Sequence, residues 1–367
     1  MTTISVDTLR AWLDEQQPVT ILDVRLQQDA AEWCIPGSIH VDAYEALKAH
    51  DPAALSGVEL PTDQPVVTVC GVGRTSQIAA EQLQARGVQA LSLEGGMQAW
   101  SLAWNTAEVP LDDRSARVLQ VRRTGKGCLS YLIGTGEEAF VIDASLDPRV
   151  YLDLARSQGW QITSVFDTHI HADHLSRSRQ LAEHCGAMLF LPDQQRVSFP
   201  FTAIRDGDTL TTPHLMLTAL RTPGHTPEST CYLLNHALLL TGDTLFPSSI
   251  GRPDLHATEE QARERAGALY HSLHKLLALP AETLVLSGHT STPVPFDGVP
   301  LASTLGEIDE QVGLLHATRA TFVQMTLARI PPTPPNSQRI VKFNEAGVLP
   351  ESDLTGLEAG ANRCAIS

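Results

Sequence analysis

No apolar run in this chain approaches the roughly 20 residues that a bilayer-spanning helix needs, which argues against an integral membrane protein. The N-terminus, Met1 to Asp7, does not lead from a basic stretch into an apolar one, so no secretory signal is expected. Clustered Lys and Arg are missing too. The net charge is -16 and the basic residues are scattered, which excludes the phosphate-binding face that nucleic-acid recognition requires. The six cysteines form no C-x-x-C pair. Free thiols in a reducing cytoplasm are the simplest expectation.

The 367 residues suffice for two domains, each with its own core. The first, residues 1–105, reads as α/β. Short apolar runs (Thr20 to Val24, Val66 to Val69, Ala90 to Leu93) alternate with helical spacing over Val6 to Gln16 and Ser76 to Arg86. That alternation predicts a parallel sheet, with catalytic loops beyond the carboxyl ends of its strands. Residues 106–114 are polar and acidic and read as a linker. The second domain, residues 115–367, opens with strand-like runs. It holds a hairpin signal at Asn235-His236 and a capping box at Thr258-Glu259-Glu260-Gln261. A long helix is expected from Leu301 to Ala328, and a loosely held tail after Gly347.

Cys70 follows a strand and precedes a helix, in Cys70-Gly71-Val72-Gly73-Arg74-Thr75-Ser76. The glycines let backbone N–H groups turn inward, and the helix adds its positive end. Such a cradle favours a nucleophilic thiolate or an anionic persulfide. A tyrosine phosphatase would need arginine where Ser76 stands. The domain resembles the rhodanese (sulfurtransferase) family. The resemblance rests on Leu22-Asp23-Val24-Arg25, Ile35-Pro36-Gly37-Ser38-Ile39, the Cys70 loop, and Leu93-Glu94-Gly95-Gly96-Met97-Gln98-Ala99-Trp100, in that order. It implies that Cys70 carries sulfane sulfur, exchanged between thiosulfate and a thiol, with residues 71–76 as the persulfide cradle. Thr75 stands where many members have arginine. Cys34 is read as a packing residue.

The densest cluster of chemistry is Thr168-His169-Ile170-His171-Ala172-Asp173-His174, joined downstream by His225, Asp243 and His289, each after a glycine. Imidazole plus carboxylate is the ligand set of catalytic zinc or non-haem iron. The pattern resembles the metallo-β-lactamase superfamily, which implies an αββα sandwich with metals at one sheet edge. In the dinuclear zinc version, similar to glyoxalase II, His169, His171 and His225 hold one ion. Asp173, His174 and His289 then hold the other, Asp243 bridges, and a thioester is hydrolysed.

A narrower likeness shifts the expectation. Gly127-Cys128-Leu129-Ser130-Tyr131-Leu132-Ile133, Gly242-Asp243-Thr244-Leu245-Phe246 and Ile250-Gly251-Arg252-Pro253-Asp254-Leu255 resemble the persulfide dioxygenases. That branch implies one Fe(II) per chain, held by His169, His225 and Asp243 in a two-histidine, one-carboxylate triad. His171, Asp173, His174 and His289 would then orient the ligands. Arg252 is read as an anchor for a substrate carboxylate or as a structural salt bridge with Asp254. The expected partners are a thiol persulfide such as that of glutathione, thiosulfate or sulfite, and O2, with no nucleic acid and no membrane. Homo-oligomerisation stays open. So do two other readings, the zinc thioester hydrolase and a non-catalytic persulfide sensor.

Overall fold

A computed structural model describes residues 3–111, 116–352, 354–360 and 362–366. The first domain is a five-stranded parallel sheet, in the order Thr3–Ile4, Ala90–Leu93, Val66–Val69, Thr20–Asp23, Ile39–His40. The strands Thr20–Asp23 and Val66–Val69 are buried throughout, as strands covered on both faces must be. The helix Val6–Asp14 starts at Ser5, whose hydroxyl accepts the N–H of Thr8. Cys70 lies directly beyond the carboxyl end of the central strand.

The second domain packs a seven-stranded sheet against a six-stranded one. Their inner faces meet around Phe140, Phe166, Phe190, Tyr232, Leu217 and Leu240. The rings of Phe166 and Phe190 stack with centroids 4.7 Å apart, and Tyr232 meets Phe166 edge-on at 5.4 Å. Helices Pro148–Ser157 and Ser178–Cys185 cover one outer face, and Glu259–Leu277 and Arg319–Ala328 the other. This is the expected αββα sandwich. Asn235 and His236 form the hairpin turn with φ of 47° and 59°, and the capping box at Thr258 and Gln261 is present. No helix among the described residues is long and apolar enough to cross a membrane.

Three expectations need correction. The linker begins inside a strand: Asn105–Val109 pairs antiparallel with Arg117–Arg123 at the edge of the seven-stranded sheet. Its residues alternate buried and open, a half-buried strand pattern that the acidic composition masked. The rest of the expected linker lies partly outside the described residues. The long helix is broken. Ser303–Thr304 is a strand, and Leu305–Gln311 and Arg319–Ala328 are separate helices, each opened by its own threonine cap at Thr304 and Thr318. The tail is packed rather than loose. Ala365–Ile366 pairs with Ser249–Gly251. Glu358, fully buried, meets Arg123 Nη2 at 2.7 Å and accepts the N–H of Leu175 at 2.6 Å.

The two domains are fastened through the turn that follows Arg117–Arg123. Arg123 Nε donates to Ser101 O at 2.6 Å, and Trp33 Nε1 donates to Thr124 O at 3.2 Å. Arg363 from the tail pairs with Glu32 at 2.6 Å.

Candidate metal centre and cysteine loop

The Cys70 loop closes as its composition requires. Gly73 has φ of 86° and opens the helix Arg74–Ala85. The N–H of Gly73 donates to Cys70 Sγ at 3.2 Å, and the Ser76 hydroxyl donates at 3.3 Å. Gly96 packs against the Cys70 carbonyl so closely that any side chain there would collide with it. Thr75 and Ser76 are buried, whereas Gly71, Val72 and the Arg74 side chain are exposed. A cleft of about 300 Å³ lies over the loop, and the Arg74 side chain is not among the groups that line it. Arg25, Trp33, Gly71 and Met97 form one side, and Gly125 and Gly360 of the second domain form the other.

The histidine loop leaves the carboxyl end of the strand Gln161–Phe166. His225 sits in the turn after Leu215–Arg221, and Asp243 and His289 follow the strands Leu238–Gly242 and Leu284–Ser287. All converge on one edge of the sandwich. Gly242, at φ of 49°, lies against Thr168 with no room for a Cβ, so the two ligand loops touch backbone to side chain.

His169, His225 and Asp243 form a compact donor group, all buried. Asp243 Oδ2 lies 3.9 Å from His169 Nε2 and 3.6 Å from His225 Nε2. The opposite edge of each ring is anchored. His225 Nδ1 meets Arg252 O at 2.8 Å, which fixes that nitrogen as the donor and leaves Nε2 a free lone pair. His169 Nδ1 meets Thr168 Oγ1 at 2.9 Å, and Thr168 is held in turn by Asp143. His169 Nε2 and Asp243 Oδ2 are buried with no hydrogen-bond partner. Buried polar atoms are rarely left unpaired, and here they face one another. Burial, reinforced by His171, holds the His169 imidazole well below its usual range, and burial lowers His225 as well. Neutral imidazoles beside an ionised aspartate are what a divalent cation requires. The donors fit a metal ion.

A second donor group adjoins the first: Cys128, Asp173, His174 and His289. Its members are largely paired with each other. Asp173 Oδ1 meets His174 Nδ1 at 3.1 Å. Asp173 Oδ2 takes Asn362 Nδ2 at 3.0 Å and lies 2.8 Å from His289 Nε2 and 3.6 Å from Cys128 Sγ. His289 Nδ1 reaches Asp243 Oδ1 at 2.5 Å. Burial disfavours a charge on these rings, but the flanking carboxylates outweigh it. His289 is held well above its usual range, and His174 is raised to about 10 by Asp173 and Cys128. Burial likewise opposes the Cys128 thiolate, yet His174 brings that thiol down to about 6. His171 Nε2 bonds Asp143 at 3.1 Å, while His171 Nδ1, His174 Nε2 and His289 Nε2 have no hydrogen-bond partner.

All seven predicted metal-site residues thus meet at one edge. Of the two readings of Arg252, the structure displays the salt bridge with Asp254. Arg252 is fully buried, grips Asp254 with two bonds at 2.8 Å, and donates to the carbonyls of Pro331, Pro332 and Arg363. Those contacts use all five guanidinium N–H groups. Sequence reasoning missed Asp143, Asn362 and Cys364. Cys364 lies within ligand distance of Asp243 and His289. An isolated cysteine close to the chain's end carries no spacing signal that could have found it. Cys128 was inside a quoted motif but not singled out.

Residues 5–103 match the rhodanese-like domain model, and residues 123–289 match that of the metallo-beta-lactamase superfamily. Among curated relatives, the hydroxyacylglutathione hydrolase of Rhizobium johnstonii is 37% identical over 145 residues, 38% of this chain and 53% of the relative. That of Brucella ovis is 31% identical over 158 residues, 42% and 55%. The chain spans about half the length of the curated relatives it matches. Two solved structures are similar at 28% identity. A metallo-beta-lactamase from Staphylococcus aureus has a TM-score of 0.59 and is matched over 64% of this chain and 74% of its own. ETHE1 from Myxococcus xanthus has a TM-score of 0.53, with 66% and 98% matched.

Proposed function

Because this chain joins a rhodanese-like domain to a metallo-β-lactamase-fold domain, we propose that it is a sulfurtransferase–persulfide dioxygenase. Cys70 takes the outer sulfur of thiosulfate, with sulfite leaving, and passes it from the resulting persulfide to a small thiol. The second domain oxidises a thiol persulfide: RSS⁻ + O2 + H2O gives RSH, sulfite and one proton. One observation carries this reading. His169 Nε2 and Asp243 Oδ2, both without a partner, lie with His225 Nε2 in one buried donor group, while His289 lies between two carboxylates, 2.8 Å from Asp173 and 2.5 Å from Asp243. Two histidines and one carboxylate with open positions is the ligand set of non-haem Fe(II) oxygenases.

Fe(II) held there would supply the electrons and vacant positions through which O2 reacts with a sulfur chain. The chain's own residues do the rest. Arg252 O and Thr168 fix the ring orientations of His225 and His169. Asn362 and His289 hold Asp173, and His289 also holds one oxygen of Asp243, which leaves the other without a partner and available to a metal ion. A hydroxyl-lined pocket of about 190 Å³ ends at His289 and Asn362, with Ser249, Thr290 and Ser291 in its wall. It suits a small polar thiol.

A dinuclear zinc thioester hydrolase is the second reading. It is favoured by the printed activity of the relatives and by the unpaired His171 Nδ1 and His174 Nε2. Anaerobic purification, metal quantification and paired assays separate the two. One iron with persulfide-dependent O2 uptake supports the first, and two zinc ions with thioester cleavage would replace it.

A further inference from the structure

The three candidate ligands are at most 3% exposed, so bulk solvent does not reach the metal position directly. Besides the hydroxyl-lined pocket, a second and much smaller cavity approaches it. This one, about 30 Å³, ends against His169, Ile170 and His171. Its wall is mainly hydrocarbon from Leu189, Leu191, Val197, Phe199 and Phe343, and Val348, 49% exposed, marks its outer end.

The polar groups along this cavity are engaged elsewhere. Asp167 accepts from the hydroxyls of Ser176 and Ser178. Glu228 binds Arg196 and the N–H of Ile170. Asn344 donates to the carbonyls of His171 and His174 and accepts from Ser176. Arg179 binds Glu183 and the Gly347 carbonyl. Apart from the imidazoles, the one lining atom that is buried without a partner is Gln194 Nε2. An ordered water needs two to four polar partners, whereas apolar voids stay dry and take up xenon. Away from the imidazole end the hydrocarbon wall offers water few partners and favours a small apolar molecule, and the cavity admits one of only a few atoms.

We infer that this cavity is the entry and holding site for dioxygen, separate from the polar pocket that takes the persulfide. The inference rests on the dioxygenase reading. It divides two co-substrates by polarity: the charged, hydrogen-bonding sulfur compound at the His289 side, the apolar gas at the His169 side.

The test fills the cavity and leaves the ligands alone. In full-length iron-loaded protein, Val197→Phe and Leu189→Phe should each lower kcat/KM for O2 about fivefold or more, with KM for glutathione persulfide unchanged. Leu191→Ala, which enlarges the void, should shift kcat/KM for O2 the other way. Xenon-pressurised crystals should show the gas beside Leu191 in the wild type and none there in Val197→Phe, a readout independent of turnover. Oxygen uptake by the wild type with unmoved O2 kinetics in both folded, plugged variants overturns the gas route alone, as does xenon absent from the wild-type cavity. A wild-type protein that takes up no oxygen with persulfide overturns the parent reading, and the route with it.

Discussion

Glu358→Gln removes the charge at the centre of a buried network that ties both domains and the histidine loop together. Glu358 is fully buried between Arg123, at 2.7 Å, and Arg177, at 3.7 Å, and its other oxygen accepts the N–H of Leu175, next to His174. Deleting one partner of a buried pair costs about 3–5 kcal/mol, because the remaining charge is left uncompensated. Glutamine keeps an acceptor for Leu175, so about 3 kcal/mol is expected from equilibrium denaturation at pH 7. Replacing Arg123 and Glu358 together with apolar residues should cost less than the sum of the single changes. Burial pushes the Glu358 carboxyl up, but Arg123 and Arg177 outweigh it and hold it below the usual range. A depressed carboxyl contributes stability above its unfolded-state value, about 4.3, and loses it as pH falls through the folded one. The gap between wild type and variant should therefore be full at pH 7 and shrink below about pH 4. A loss under about 1 kcal/mol at pH 7 would refute the reasoning, since the two guanidiniums must then have found other compensation.

Cys70→Ser should abolish thiosulfate-to-thiol sulfur transfer and leave oxygen uptake on supplied persulfide intact; parallel loss of both would contradict separable sites. Asp243→Ala should lose metal and oxygen uptake together, as read by metal analysis and an oxygen electrode. If the proposed one-metal centre holds, Asp173→Asn should retain one ion per chain with affinity or activity down by about 10–100-fold, because in that reading it orients His289 and His174; loss of one ion out of two would support the zinc reading. Arg252→Met should destabilise by roughly 3 kcal/mol through an unpaired Asp254 and orphaned carbonyls, without raising KM for a carboxylate-bearing persulfide. A raised KM at unchanged stability would restore its role as an anchor.

The parts legible in the sequence are those with local signatures. The strand–Cys70–helix loop, the clustered histidines and the Gly-flanked Asp243 and His289 each carry their geometry in a few neighbouring residues. The sandwich itself was what the resemblance to the metallo-β-lactamase superfamily implied. What escaped depends on long-range placement. Glu358 meets Arg123 across 235 residues, and Asn362 reaches Asp173 across 189. Nothing in the composition of the tail announces either contact. Arg252 was ambiguous for a related reason: its pairing with Asp254 is local, but the three carbonyls that complete its shell come from Pro331, Pro332 and Arg363. The edge strand Asn105–Val109 was misread because its two open positions include an acidic residue, Glu108, paired with Arg117 across the sheet.

The charge arrangement around the centre bears on how many ions it holds. A metal competes with protons for its ligands. At His169 and His225, burial has already made that competition easy, since both rings are held neutral. At His174 and His289 the opposite holds: the flanking carboxylates favour the charged rings. A second ion would have to compete with that charge and displace the contacts of His289 with Asp173 and Asp243. At the first site the gaps are wider: Asp243 Oδ2 stands 3.9 Å from His169 Nε2 and 3.6 Å from His225 Nε2, so an ion can enter between them without displacing a close contact. The two sites therefore differ in cost even though their residue types are nearly the same. The proposed one-metal centre rests on that asymmetry, and metal quantification decides it against the two-metal alternative.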